Sequence, residues 1–168
     1  RRNGITNAMI GELYALLGEL RDRTDVRVVE LTGSGDWFCP GADFGHFASG
    51  AETVKARREW FAIPALLHEL PQVTVCTING PCAGAGLAWA CACDLRLASS
   101  TAVFNTAFLA VAVPGDMGLP WTLPRLVGAG RARDLLLRPR KFSAADALAW
   151  GLVAEVAEPT ELRAAAST

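Results

Sequence analysis

A glycine-rich turn between a β-branched apolar run and a helix-forming run constrains this chain more than any other feature. Residues 73–78 are typical of a buried strand, and residues 87–93 favour a helix. Between them, Asn79-Gly-Pro-Cys-Ala-Gly-Ala-Gly-Leu-Ala88 supplies glycines that allow a tight turn and a close approach to a ligand. The first amides of a helix have no partner within it and carry the positive end of its dipole. The turn is therefore a candidate site for a phosphate or an oxyanion.

Three common glycine motifs are excluded by individual residues. A dinucleotide-binding fingerprint needs a third glycine where this chain has Trp89, and a phosphate-binding P-loop needs a Lys-Ser or Lys-Thr pair that does not follow the turn. A Gly-x-Ser-x-Gly nucleophile elbow is also absent, because the sequence around Ser34 is Thr-Gly-Ser-Gly. The anion that this turn could bind is therefore not identified by any of these three motifs.

Composition limits the classes of partner. The chain has 168 residues, which suits one domain, and its 16 basic and 17 acidic residues give a net charge of −1. That balance provides no general field for nucleic acid or for an anionic membrane, so we expect neither partner. The local basic cluster is interpreted either as a solvated helical surface or as a contact to the phosphates of a bound ligand. It comprises Arg125, Arg131, Arg133, Arg138, Arg140 and Lys141.

The cysteines and the hydropathy indicate a cytoplasmic protein. The five cysteines lack the spacing of a metal site and are interpreted as buried thiols in a reducing compartment, so no metal is predicted. No apolar stretch reaches the ~18 residues of a membrane span, and no signal peptide is visible.

Periodicity predicts an α/β domain in which helices and strands alternate. A helix with Thr6 as a possible cap covers residues 5–20, and a second covers 52–70 with a boundary or kink at Pro64. Another starts at Ser143 and ends near Gly151. Strands are predicted at residues 26–31, 73–78, 94–98, 102–104 and 109–113.

A second glycine-rich passage, residues 33–44 (GSGDWFCPGADF), follows the strand at 26–31. With "INGPCAGAGLAWACACDLRLA", "FNTAFLAV", "GDMGLPWTLPRLVG" and "ALAWGLVAEV", it resembles the crotonase, or enoyl-CoA hydratase/isomerase, superfamily in order and spacing. The resemblance implies a single crotonase-like domain over residues 1–168, an α/β β-spiral of repeated strand–strand–helix units. It also implies that the family's first strands and C-terminal helices lie outside these residues, so the chain looks truncated at both ends.

The resemblance implies that two main-chain amides form an oxyanion hole, and they map to Ala42 and Ala85. Donors aimed at the carbonyl oxygen of a thioester stabilise the negative charge that develops there. The alternative is that both glycine-rich turns are only tight connections.

The acid–base residues depart from the hydratase pattern. The two hydratase glutamates map to Ala88 and Phe108, which cannot orient water or deliver a proton. Asp116 matches a position where several crotonase isomerases and dehalogenases carry a functional aspartate. We interpret it either as the catalytic carboxylate or as a turn residue capping the next helix.

The resemblance thus predicts an acyl-CoA thioester-processing enzyme, more isomerase-like than hydratase-like. Its catalytic residues are Asp116, Ala42 and Ala85. Its substrate-binding residues are Ala42, Asp43, Phe44, Gly84, Ala85 and Phe108, although the residue type favours a turn-stabilising side chain at Asp43. The adenine and phosphates of the coenzyme are expected near Asp43 and Phe44, beside an arginine.

The resemblance implies no cofactor besides the coenzyme A of the substrate, and a homotrimer or hexamer. Three alternatives stay open: an enoyl-CoA hydratase, a catalytically inactive acyl-CoA-binding or oligomer-forming member, and an RNA-binding member. The last is disfavoured by the balanced charge and the single tyrosine.

Overall fold

The structure is a computed structural model that describes residues 2–43, 58–113 and 115–167. Its α-helices are α1 (Asn7–Leu20), α2 (Arg58–Glu69), α3 (Ala85–Ala92), α4 (Leu119–Val127), α5 (Ala129–Leu137), α6 (Ala144–Ala149) and α7 (Leu162–Ala165). Its strands are β1 (Val28–Thr32), β2 (Val73–Ile78), β3 (Cys82–Ala83), β4 (Leu95–Ser99), β5 (Val103–Asn105), β6 (Phe142–Ser143) and β7 (Glu155–Ala157). A 3₁₀ helix covers Phe108–Val111.

The strands form two sheets. A four-stranded parallel sheet has the order β1-β2-β4-β7, and a small three-stranded sheet has the order β3-β5-β6. In the small sheet β3 pairs parallel to β5, and β5 pairs antiparallel to β6. Parallel neighbours cannot be joined by a tight hairpin, so helices connect them, which confirms the predicted α/β class.

Helix α3 lies inside the core. Each residue of this helix is buried, and the sequence AGLAWACA has no polar face. A helix that is apolar all round is stable only when surrounded by protein, and here helices α2 and α4 pack against it. The N-terminus of α3, which begins at Ala85, is therefore held by the main hydrophobic core.

Local sequence signals place several element ends as predicted. Thr6 is the N-cap of α1, where its Oγ1 accepts a hydrogen bond from the Met9 amide at 3.2 Å. Ser143 and Asp146 form a reciprocal capping box at the start of α6, and the C-cap of that helix is Trp150.

Two predictions were wrong. Residues 109–113 do not form a strand, because the Ala110 amide bonds to the Ala107 carbonyl and the Ala112 amide to the Leu109 carbonyl, as in a 3₁₀ turn. A short apolar run fits either structure, and here the local bonds decide.

Of the boundary or kink predicted at Pro64, the boundary is the second error. Helix α2 continues through Pro64 to Glu69, with Ile63 and Leu67 both buried in the core. Burial of residues on both sides of Pro64 therefore stabilises a helix that continues through the proline. The first part of the predicted helix, residues 52–57, lies outside the described residues.

Candidate active site

The two glycine-rich turns are joined by one parallel β-bridge between Cys39 and Cys82. The Cys39 amide donates to the Pro81 carbonyl at 3.1 Å, and the Ala83 amide donates to the Cys39 carbonyl at 2.9 Å. Because the bridge is parallel, both segments leave it in the same direction. Ala42 and Ala85 therefore each follow the bridge by three positions.

Glycine is required where the two turns touch. Gly41 has φ +94°, and a Cβ added there would lie 3.5 Å from the amide nitrogen of Ala85. A Cβ at Gly86 would lie 2.4 Å from the Cys39 carbonyl oxygen, which is an impossible contact. The segment that carries Ala42 thus lies directly against the start of α3.

The Ala42 and Ala85 amides are left available by the backbone pattern. Ile5 donates to the Gly41 carbonyl at 2.9 Å, and Asp43 donates to the Ile5 carbonyl at 3.1 Å, so the N–H of Ala42 between them points to the other edge. Ala85 is the first residue of α3, where an amide has no partner in the helix. Within the part of the chain described, neither amide donates a hydrogen bond.

Gly84 sets the direction of the Ala85 amide. Its φ of 53° and ψ of −123° form a combination that a residue with a Cβ avoids. The Gly84 amide donates to the main-chain oxygen of Asn105 at 3.0 Å, and its own carbonyl accepts from Ala88. The turn is therefore fixed from the small sheet on one side and from α3 on the other.

The two positions that the resemblance assigns to hydratase glutamates, Ala88 and Phe108, are apolar. Ala88 has 0% exposure inside α3, and Phe108 is half-buried against the main core. Neither side chain carries a proton for exchange.

Asp116 lies in the turn before α4. Its Oδ1 accepts from the Met117 amide at 2.7 Å, and its main-chain oxygen accepts from the Leu119 amide at 3.0 Å. These bonds belong to a turn, while Oδ2 has no donor among the described residues. In that part of the chain Asp116 makes no hydrogen bond or ion pair with either glycine turn, although α4 packs on α3.

The predicted coenzyme segment is described only at its start. Asp43 is half-buried and bonds through its amide to Ile5. Phe44 lies outside the described residues, so its predicted role there stays a prediction.

The basic cluster makes local surface contacts, in keeping with its interpretation as a helical surface. Arg125 stacks over the Trp121 ring at 3.8 Å, and Arg131 over the Trp150 ring at 4.4 Å. Asp134 pairs with two further members, Arg138 at 3.5 Å and Arg140 at 2.5 Å.

All five cysteines are free and buried. Burial raises the pKa of the Cys39 thiol to about 11 and that of Cys91 to about 12, and it raises the pKa of Cys76 and Cys82 well above the ordinary value. Such thiols are protonated and poorly nucleophilic at neutral pH.

The residues that the structure describes include no group of three or more side chains suited to a metal ion. Among the described helices, none has the length and apolar character needed to cross a bilayer.

Sequence reasoning missed Arg96, which is buried at 8% exposure. Its guanidinium donates to the Leu152 carbonyl at 2.8 Å and to the carbonyl of Cys93, the C-cap of α3. A cation at this end complements the negative end of the helix dipole. The signal available in the sequence was a charged residue inside the apolar strand Leu95–Ser99.

Comparison with known proteins agrees with this architecture. The family model for enoyl-CoA hydratase/isomerase matches residues 1–167. The crystal structure of an enoyl-CoA hydratase from Bacillus anthracis superposes with a TM-score of 0.89, at 33% identity, over 98% of this chain and 65% of that one. This is the fold of the crotonase superfamily, which confirms the predicted fold class.

Two relatives show the range of the family. A probable enoyl-CoA hydratase of Rhodobacter capsulatus is 37% identical over 91% of this chain and 60% of its own length. The 1,2-epoxyphenylacetyl-CoA isomerase of Escherichia coli is 32% identical over 96% of this chain and 64% of its own length. The chain belongs to the enoyl-CoA hydratase/isomerase family, and it spans about three-fifths of the length of these relatives.

Proposed function

We propose that this chain binds an acyl-coenzyme A thioester and stabilises the enolate of its acyl group with the amides of Ala42 and Ala85. The observation that carries the proposal is the Cys39–Cys82 bridge, which brings the two turns together and leaves both amides without a partner in the described residues. Removing an α-proton from a thioester places negative charge on its carbonyl oxygen. Two fixed donors aimed at that oxygen lower the barrier to this step.

Isomerisation, or another reaction that needs one carboxylate, fits these residues better than hydration. Hydration by two glutamates would need carboxylates at Ala88 and Phe108, and both positions are apolar. Asp116 supplies a single carboxylate whose Oδ2 has no donor among the described residues. It would take a proton from one carbon of the acyl group and return it to another, so no water is consumed.

The decisive experiment follows exchange of the α-protons of butyryl-CoA with deuterated water. Asp116→Asn keeps the shape of the turn and an oxygen for the Met117 amide but removes the base, so exchange should slow by the ~10²–10⁴ typical of general-base loss. The matched control is Asp22→Asn, an exposed aspartate beyond the end of α1, which should exchange like wild type. Calorimetric affinity for butyryl-CoA should be the same in all three proteins.

Each contrary result has a distinct meaning. Equal exchange in wild type and Asp116→Asn would remove the base role and leave Asp116 as a turn residue. Binding without exchange in wild type would favour an inactive acyl-CoA-binding protein. Rapid addition of water to crotonyl-CoA would favour a hydratase, and the absence of any thioester binding would overturn the proposal itself.

We further propose that the protein assembles as a homotrimer or a dimer of trimers in the cytoplasm. Apolar side chains exposed on its helices, among them Leu137 at 68% and Trp121 at 49%, provide surface for subunit contacts. Five unpaired thiols suit a reducing compartment. Light scattering at micromolar concentration should report three or six subunits, and a monomer would refute the assembly.

A further inference from the structure

Asn105 bonds to the turn that carries Ala85 and to the apolar segment that contains Phe108. Its main-chain oxygen accepts the Gly84 amide at 3.0 Å, directly before Ala85. Its side-chain Oδ1 accepts the Ala107 amide at 3.0 Å, directly before Phe108. One residue at the end of β5 therefore contacts both segments through two separate acceptors.

The side-chain bond supports a conformation that alanine ordinarily avoids. Ala107 has φ +61°, in the left-handed region, and the Phe108 amide folds back to the Thr106 carbonyl at 2.7 Å. Thr106 is buried, and its Oγ1 donates to the Leu135 carbonyl at 2.6 Å. Thr106 thus anchors the turn to α5, while Asn105 stabilises its left-handed residue.

Beyond Phe108, which is half-buried against the main core, the segment has little packing of its own. No residue of the 3₁₀ helix Phe108–Val111 is fully buried, and Leu109 and Val111 are exposed. Its far end closes at Ala112, which is also left-handed with φ +60°. The placement of such a segment depends mainly on the bonds at its ends.

We propose that Asn105 is a positioning residue that fixes the apolar segment Phe108–Val111 relative to the Ala85 amide. This inference rests on the proposed function: the segment forms an apolar wall beside the acyl group. Asn105 sets the distance of that wall from the oxyanion donors. The side chain acts as an acceptor through Oδ1, and its Nδ2 makes no hydrogen bond within the described residues. An aspartate at this position should therefore replace it, and an alanine should not.

Backbone amide exchange tests the coupling without any substrate. In Asn105→Ala, the Ala107 amide should exchange at least about tenfold faster, and the Gly84 amide several-fold faster, while remote amides in α1 keep their rates. Asn105→Asp should restore both rates. Faster exchange at Ala107 alone, with Gly84 unchanged, would overturn the coupling. Val103→Ala, an exposed position on the same strand, is the matched control and should alter neither amide.

Kinetics then separate positioning from general stability. In the α-proton exchange assay, Asn105→Ala should lower kcat about tenfold and leave KM and the melting temperature within the range of Val103→Ala. Asn105→Asp should recover the wild-type kcat. Failure of the aspartate variant would overturn the proposal, because it would place the role on the Nδ2 donor. If wild type shows no exchange activity, the proposed function fails, whereas the amide-exchange result still decides the role of Asn105.

Discussion

Cys39 and Cys82 face each other in a single parallel bridge, and each precedes one of the proposed oxyanion donors by three positions. Each donor is therefore only three residues from the bridge, although the two donors come from distant parts of the chain. Any change that separates the two cysteines will also separate Ala42 from Ala85. Substitutions around this bridge should therefore lower stability and turnover together. A second glycine-rich helix start in the same chain provides a control for such tests.

The control is a second Gly-Ala-Gly sequence at residues 128–130, which also opens a helix. Gly86→Ala would place a Cβ 2.4 Å from the Cys39 oxygen, whereas a Cβ at Gly130 has no atom within 4 Å. We expect Gly86→Ala to lower the free energy of unfolding by about 1–3 kcal/mol, as overpacking does. Gly130→Ala should be neutral or stabilising by up to about 1 kcal/mol. Urea denaturation measures both, and equal effects would contradict the close approach of the turns.

Ala85→Pro removes one proposed donor and leaves the helix start intact, because proline is tolerated at the first helical position. Turnover of an acyl-CoA substrate should fall by about 10²–10³, the usual cost of losing one oxyanion donor. Ala129→Pro makes the same change after Gly128, away from the proposed site, and should retain turnover. Unaltered turnover in Ala85→Pro would show that this amide is not an oxyanion donor.

The hydrogen bonds of the buried Arg96 guanidinium should contribute to the free energy of unfolding. Arg96→Met leaves the buried carbonyls of Leu152 and Cys93 without their donor, so we expect a loss of about 3 kcal/mol in the free energy of unfolding. The exposed Arg133 is the comparison, and Arg133→Ala should change stability by less than about 0.5 kcal/mol. A similar result for the two variants, in denaturant titrations, would disprove a structural role for Arg96.

The buried thiols predict a loss of stability in alkaline solution. In the unfolded chain a cysteine loses its proton near pH ~8.5. Burial holds the pKa of Cys39 at about 11 in the folded protein. Between these values the unfolded state binds fewer protons, so the free energy of unfolding falls as pH rises, by about 1.4 kcal/mol per pH unit for each such thiol.

The measurement is a series of denaturant titrations from pH 8 to about pH 11, bounded by these pKa values. Cys39→Ala should show a shallower decline than wild type across this interval. Identical slopes in the two proteins would indicate that the Cys39 thiol ionises equally well in the folded state.

The sequence predicted those features that depend on local chemistry. The Thr6 cap and the Ser143–Asp146 capping box are side-chain hydrogen bonds to neighbouring amides, so the residue types at these positions predict them. The glycine turn before α3 was predictable for a similar reason, since Gly84 adopts backbone angles that suit glycine alone.

What the sequence could not predict depends on distant partners. The helix crosses Pro64 because Ile63 and Leu67 are buried against other elements. The 3₁₀ helix at 108–111 follows a turn that Thr106 holds to the Leu135 carbonyl, 29 positions along the chain. The catalytic role of Asp116 stays a prediction.

The parallel order β1-β2-β4-β7 has a consequence for how the chain reaches this fold. Residue 28 pairs with residue 73, and residue 97 pairs with residue 155, so each pairing closes a long loop before it gains any bond. Folding dominated by such non-local pairings is slow, and partly folded chains persist. Until the sheet assembles, the apolar helix α3 has no partners to cover it, and it is the segment through which nascent chains would aggregate.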